Sequence, residues 1–148
     1  MTPRTLLSAA VCGFVLLGCA SNVPRLNSSR DCNYPDCRIS VSAIATPSPV
    51  GGCSVSVDPV TLNVKSKGTS NIFWDLDVRS AHNGYSFPAN GIVFDDAQGE
   101  FFDCQAVGSG KSFKCSNKHS KAGDYKYTVN VVRGSTNCIP LDPMIVND

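Results

Sequence analysis

The amino-acid sequence predicts an all-β fold, an antiparallel sandwich of about seven or eight strands, and three observations carry that expectation. From Arg38 onward the chain alternates apolar and polar residues in short runs, the period of strands with one dry and one wet face. Gly, Pro, Asn and Asp bound those runs and supply the turns between them. No stretch carries the apolar stripe of a convincing helix.

In chain order the expected strands are Arg38–Ala45, Cys53–Val57, Val60–Lys65, Asn71–Val78, Gly91–Asp95, Glu100–Val107, Lys111–Ser116 and Tyr125–Arg133. Two show the alternation most clearly. Ile72, Trp74, Leu76 and Val78 fall on one face, as do Tyr125, Tyr127, Val129 and Val131, while Asp75, Asp77, Lys126, Thr128 and Asn130 fall opposite. The segment Gly123-Asp124-Tyr125-Lys126-Tyr127 resembles the tyrosine corner of immunoglobulin-like sandwiches, where a Tyr stands two residues before a core position of a late strand. In that resemblance Tyr127 takes the place of a Cys and Trp74 matches the core Trp, although the Cys…Trp…Cys frame of antibody domains is absent. The resemblance implies an immunoglobulin-like sandwich, and a cupredoxin-like sandwich is the other architecture that fits.

The chain starts differently. One basic residue, Arg4, precedes an apolar run from Leu6 to Leu17 broken only by Ser8 and Gly13, the layout of a secretory signal. The run is about a dozen residues, short of the ~20 a membrane-crossing helix needs. It ends in Leu16-Leu17-Gly18-Cys19, which resembles the lipobox of bacterial lipoproteins. That resemblance implies cleavage after Gly18, a lipid on the Cys19 thiol and a protein held at an envelope membrane, and Ala20 rather than Asp after the Cys implies the outer membrane. Residues 1–18 are then a leader, 19–31 a polar, flexible, lipidated tether, and 32–148 one domain of about 115 residues, enough for a single core.

Eight cysteines are present. Cys12 leaves with the leader and Cys19 carries lipid, so Cys32, Cys37, Cys53, Cys104, Cys115 and Cys138 remain, an even number that suggests disulfides in an exported domain. Cys104 and Cys115 flank Gly108-Ser109-Gly110 and can face each other across a hairpin at the ~5.5–6 Å Cα spacing of a bridge. Cys32 and Cys37 bracket the turn-rich Asn33-Tyr34-Pro35-Asp36. Cys53 and Cys138 are left for each other by elimination.

Several chemistries fail on their spacing. The net charge of +1 gives no basic field for nucleic acid. Gly108-Ser109-Gly110-Lys111-Ser112 ends like a nucleotide-binding loop, but Gln105 stands where the motif needs Gly and a strand follows where it needs a helix. Asp95, Asp96, Glu100 and Asp103 lack the alternating ligands of a calcium loop and read as solvated surface facing Lys111, Lys114, Lys118, Lys121 and Lys126 across a hairpin. Cys115 and His119 before a last strand, with His82 as second imidazole, resemble the copper loop of cupredoxins, which implies an electron carrier as the alternative function. No Met follows His119 closely, and Cys104 competes for Cys115. A hydrolytic nucleophile elbow or metalloprotease helix is missing from the sequence.

The expected function is therefore a non-catalytic binding or structural module without cofactor or metal, anchored in the membrane and meeting a protein partner of the envelope or periplasm. The partner is either an assembly of which the chain is a subunit or a protein it inhibits. Loops carry recognition on such scaffolds, and Ser80–Asn90 is the expected binding loop, with His82 and the aromatic anchors Tyr85 and Phe87.

Overall fold

Hydrogen bonding gathers the alternating runs into two five-stranded sheets and a small ribbon. The structure, a computed structural model, describes residues 28–47 and 52–148. The leader, Cys19 and the tether as far as residue 27 lie outside the described residues. In chain order the elements are β1 (Ser29–Cys32), β2 (Asp36–Thr46), β3 (Gly52–Asp58), β4 (Thr61–Val64), β5 (Ser70–Leu76), α1 (Val78–His82), β6 (Tyr85–Ser86), β7 (Ile92–Phe94), β8 (Phe101–Val107), β9 (Ser112–Asn117), β10 (Gly123–Val129), β11 (Val132–Arg133), β12 (Thr136–Asn137) and β13 (Met144–Asn147). One sheet runs β3-β2-β5-β9-β8, the other β1-β4-β13-β10-β7, and β12-β11-β6 forms the ribbon. The sandwich is the fold the alternation predicts, and a strand stands at each of the eight expected places.

The differences lie where a backbone finds a distant partner. β1 takes Ser29, Arg30 and Asp31 out of the stretch read as tether, because they pair in parallel with Thr61, Leu62 and Asn63. β13, a short run after Pro143, lies between β4 and β10. Antiparallel pairing holds for the hairpins, but β1–β4, β4–β13 and β2–β5 are parallel. A parallel pair needs a long crossover, and the chain makes one by leaving the first sheet at the end of β3 and entering the second as β4 before returning as β5. The strand expected at Asn71–Val78 stops at Leu76. Asp77 accepts a hydrogen bond from the Ser80 amide at 2.6 Å and caps α1, so Val78 turns out of phase and stands 87% exposed. A helix this short has too few residues to show a period.

The two sheets meet at Trp74, which is fully buried and lies edge-on to Tyr127, Phe113 and Phe94 at 5.3, 6.4 and 6.5 Å between ring centroids. Toward the end of the sandwich away from the ribbon, the amides of Asn117 on β9 and Asn147 on β13 exchange hydrogen bonds of 2.8 and 3.2 Å from sheet to sheet. The Tyr125 hydroxyl donates to the Lys121 carbonyl at 3.2 Å, four residues upstream, as a tyrosine corner does. All three bridges join the expected pairs: Cys32–Cys37 ties β1 to β2 and thus sheet to sheet, Cys53–Cys138 ties β3 to the segment after β12, and Cys104–Cys115 ties β8 to β9.

Among the described residues neither the Tyr127 hydroxyl nor the Trp74 indole N–H has a partner in full hydrogen-bond geometry; burial pushes the phenol's pKa far above its ordinary range, with the indole N–H of Trp74 acting the other way. Tyr127→Phe should leave stability to urea unchanged or raise it by up to about 1 kcal/mol, whereas Tyr127→Ala should cost about 3–5 kcal/mol through the cavity it opens. For the bridges, Cys53–Cys138 closes a span of 85 residues and Cys104–Cys115 one of 11, which in the chain-entropy account gives about 4.5 against about 2.8 kcal/mol. The Cys53→Ser/Cys138→Ser protein should melt below Cys104→Ser/Cys115→Ser under oxidising conditions; equal melting temperatures would contradict the loop-length argument.

Candidate functional site

The expected binding loop forms one end of the sandwich. Ser80, buried on α1, accepts from the Ala43 amide at 2.8 Å and donates to the Ala43 carbonyl at 3.2 Å, which docks the helix on β2. Gly84 takes a φ of 82°, a left-handed turn that glycine adopts without strain. The chain then enters β6, pairs with β11, and β12 closes the ribbon over this end. The Lys111 ammonium, in the Gly-Ser-Gly hairpin between β8 and β9, reaches back to donate to the Ala81 and Tyr85 carbonyls at 3.1 and 2.7 Å. That turn opens directly into β9, so the hairpin reading of the Gly108–Ser112 segment stands.

The ribbon corrects two of the three expected binding residues. Tyr85 and Phe87 are core, only 2% and 4% exposed. They lie on either side of Ser86 and therefore point inward together; Phe87 packs edge-on against Phe113 at 6.0 Å. Gly91 leaves room for this contact, since a Cβ there would stand 2.8 Å from the Phe113 ring. His82, the last residue of α1, is exposed. The Arg133 guanidinium covers Tyr85 at 5.5 Å from the ring centroid.

What this end presents instead is apolar. Ile44, Val78 and Ile139 are 60%, 87% and 64% exposed. Ile44 pairs with Ser54, which bridges to Ile139, so the two isoleucines share a cross-strand row on the outer face, and α1 with Val78 packs beside the same part of β2. Two open clefts flank the ribbon: one of about 320 Å³ lined by Thr46, Gly52, Tyr85, Arg133 and Thr136, the other of about 330 Å³ lined by Pro88, Asn90, Asn130, Asn137 and Pro140. Ile44 was detectable in the sequence, since it falls out of phase with the inward Ile39, Val41 and Ala43. Val78 and Ile139 gave no such signal.

The residues of the copper alternative are apart. The Cys115 sulfur is bonded to Cys104 at 2.07 Å, His82 ends α1, and the His119 ring lies between the Ser66 carbonyl and, at 3.0 Å, the Asp148 carbonyl. No group of three His, Cys, Asp or Glu side chains able to hold a metal occurs among the described residues. The acidic stretch is also reorganised. No ion pair among the described residues joins it to the facing lysines; the pairs are Arg38–Asp75, Lys65–Asp31 and Lys65–Asp148. Glu100, expected as solvated surface, is buried at 1% exposure. Its carboxylate accepts from the Ser120 amide and hydroxyl at 2.7 and 2.6 Å and from the Lys121 amide at 3.2 Å, donors that sequence alternation on the neighbouring strands could not reveal.

No protein-family model matches the chain, and no curated protein matches it significantly.

Burial raises the Glu100 pKa, but the hydrogen bonds from Ser120 and Lys121 outweigh it and hold the carboxyl below its ordinary value. A carboxyl depressed in the folded state stabilises the fold above its unfolded pKa, and that contribution disappears as the pH falls through the folded value. Glu100→Gln should therefore cost about 1–3 kcal/mol at neutral pH. Its deficit relative to the parent should shrink as the pH falls below the ordinary Glu range, about 4.3, in urea titrations at stepped pH; a constant deficit would assign the loss to packing.

Proposed function

We propose that the chain is a lipid-anchored, non-catalytic binding module of a bacterial envelope that meets a protein partner through the ribbon-capped end of its sandwich. The observation that carries this reading is the gathering of Ile44, Val78 and Ile139, all exposed, at that end; exposed apolar side chains grouped together mark interaction surfaces. The clefts beside the ribbon, with Arg133 and three asparagines, add the polar rim of such surfaces. The lipobox at Leu16 to Cys19 supports the anchor, and the three disulfides support an oxidising compartment. Ala20 after Cys19 supports the outer membrane with the domain toward the periplasm. The partner is either an assembly that includes this subunit or a protein it neutralises.

Two linked measurements in the producing cell test the reading. Cys19→Ala should abolish incorporation of labelled palmitate and release processed protein from the membrane fraction. A photo-crosslinking residue at position 44 or 139 should give one discrete adduct that the same residue at position 126, on β10, does not give. Unchanged fractionation would overturn the anchor, and adducts independent of position would overturn the binding end.

A further inference from the structure

The connection that follows α1 contains two Asn-Gly pairs, Asn83-Gly84 and Asn90-Gly91. Such a pair is open to attack of the backbone on its own side chain, because glycine puts no Cβ beside the attacking nitrogen and lets the peptide turn freely. The two pairs differ in what holds that peptide. Gly91 is buried, and a Cβ on it would stand 2.8 Å from the Phe113 ring. Its amide donates to the Pro88 carbonyl at 2.9 Å, and the Asn90 carbonyl accepts from the Asn130 side chain at 2.8 Å, so both polar groups of that peptide are engaged. Asn83 and Gly84 are exposed, and a Cβ on Gly84 would meet no non-neighbouring atom within 4 Å. The Gly84 amide donates to the Ala81 carbonyl at 3.3 Å, longer than an ordinary bond of this kind. Asn83 also ends a helix of only five residues, and helix ends open before a core does.

We propose that Asn83 is a site of spontaneous deamidation and that the fold protects Asn90 from the same reaction. The Gly84 nitrogen, having given its proton to hydroxide, bonds to the Asn83 Cγ. The Cγ–Nδ2 bond breaks and the nitrogen leaves as ammonia with a proton from water, which closes a five-membered imide. Water then opens the imide at one carbonyl to give aspartate or at the other to give isoaspartate. The net change is uptake of one water and release of one ammonia, without oxidant or reductant. At the Asn83 ψ of 8° the Gly84 nitrogen is turned away from the side chain, so the ring closes when the helix cap opens. No Asp or Glu occurs between residues 78 and 92. The product therefore introduces a carboxylate into that stretch, at the end where a partner is proposed to dock.

The test holds the full chain, purified in a polyoxyethylene detergent, at mildly alkaline pH and follows both sites by peptide mapping and by enzymatic methylation of isoaspartate. Synthetic peptides spanning residues 80–86 and 87–93 react alongside, and each site's rate in the protein is divided by the rate in its own peptide, which removes the effect of neighbouring residues. That ratio should be at least about tenfold higher for Asn83 than for Asn90. In urea, with the bridges intact, the two ratios should converge. Asn83→Gln should form no isoaspartate at that position and should melt like the parent. Equal ratios in the folded protein, a higher ratio at Asn90, a difference that persists in urea, or an Asn83 still intact when its peptide has fully reacted would each overturn the proposal. The experiment involves neither the anchor nor a partner, so its failure leaves the Cys19→Ala and crosslinking results standing.

Discussion

Two sheets form a sandwich only when their inner faces exclude water together, and in this protein that requirement converges on Trp74. Its indole is fully buried and touches rings contributed by both sheets, Phe113 from its own and Phe94 and Tyr127 from the other. Edge-to-face contacts of this kind add to the area they bury. Antibody domains pack a disulfide against their core Trp, whereas here the contact at the centre is non-covalent and the bridges sit around it. Cys32–Cys37 links the sheets where β1 passes into β2, and Cys53–Cys138 fastens the segment after the ribbon. The centre is set by shape, and the covalent links hold the chain that wraps it.

That wrapping shapes the end where a partner is proposed to dock. Capping the sandwich requires Tyr85 and Phe87 to turn inward, and the backbone that carries them is satisfied by groups from other elements. Asp77 caps α1, Ser80 binds the Ala43 backbone and Lys111 binds two carbonyls of the loop. With the aromatic side chains used in the core, the exposed apolar surface falls to Ile44, Val78 and Ile139. A loop expected to recognise a partner through its aromatic residues instead supports a surface made by its neighbours.

Polar groups drawn into the interior act in the same way at the opposite end. Glu100 satisfies the amides of Ser120 and Lys121, Tyr125 binds the Lys121 carbonyl, and the Asn117–Asn147 pair joins the sheets beside them. A buried carboxylate is tolerated when several donors surround it. These contacts order the connection between β9 and β10, which would otherwise leave backbone groups unpaired next to the core.

By itself the sequence determined eight strand positions and the inward phase along the clearest of them, because a two-residue period is local: Ile72, Trp74 and Leu76 point to the core wherever β5 is placed. It also favoured the cysteine pairs that form, Cys104 with Cys115 across a hairpin and Cys32 with Cys37 across a turn, and reached Cys53 with Cys138 only by elimination. Only the tertiary structure decided which strands are neighbours, among them the parallel pairs of β2 with β5 and of β4 with β1 and β13. Only it decided that Glu100 and Tyr85 turn inward while Val78 turns out. The physical reason is range. A side chain's phase along a strand is set by its own residues, whereas its burial and its partners are set by whichever distant backbone arrives beside it.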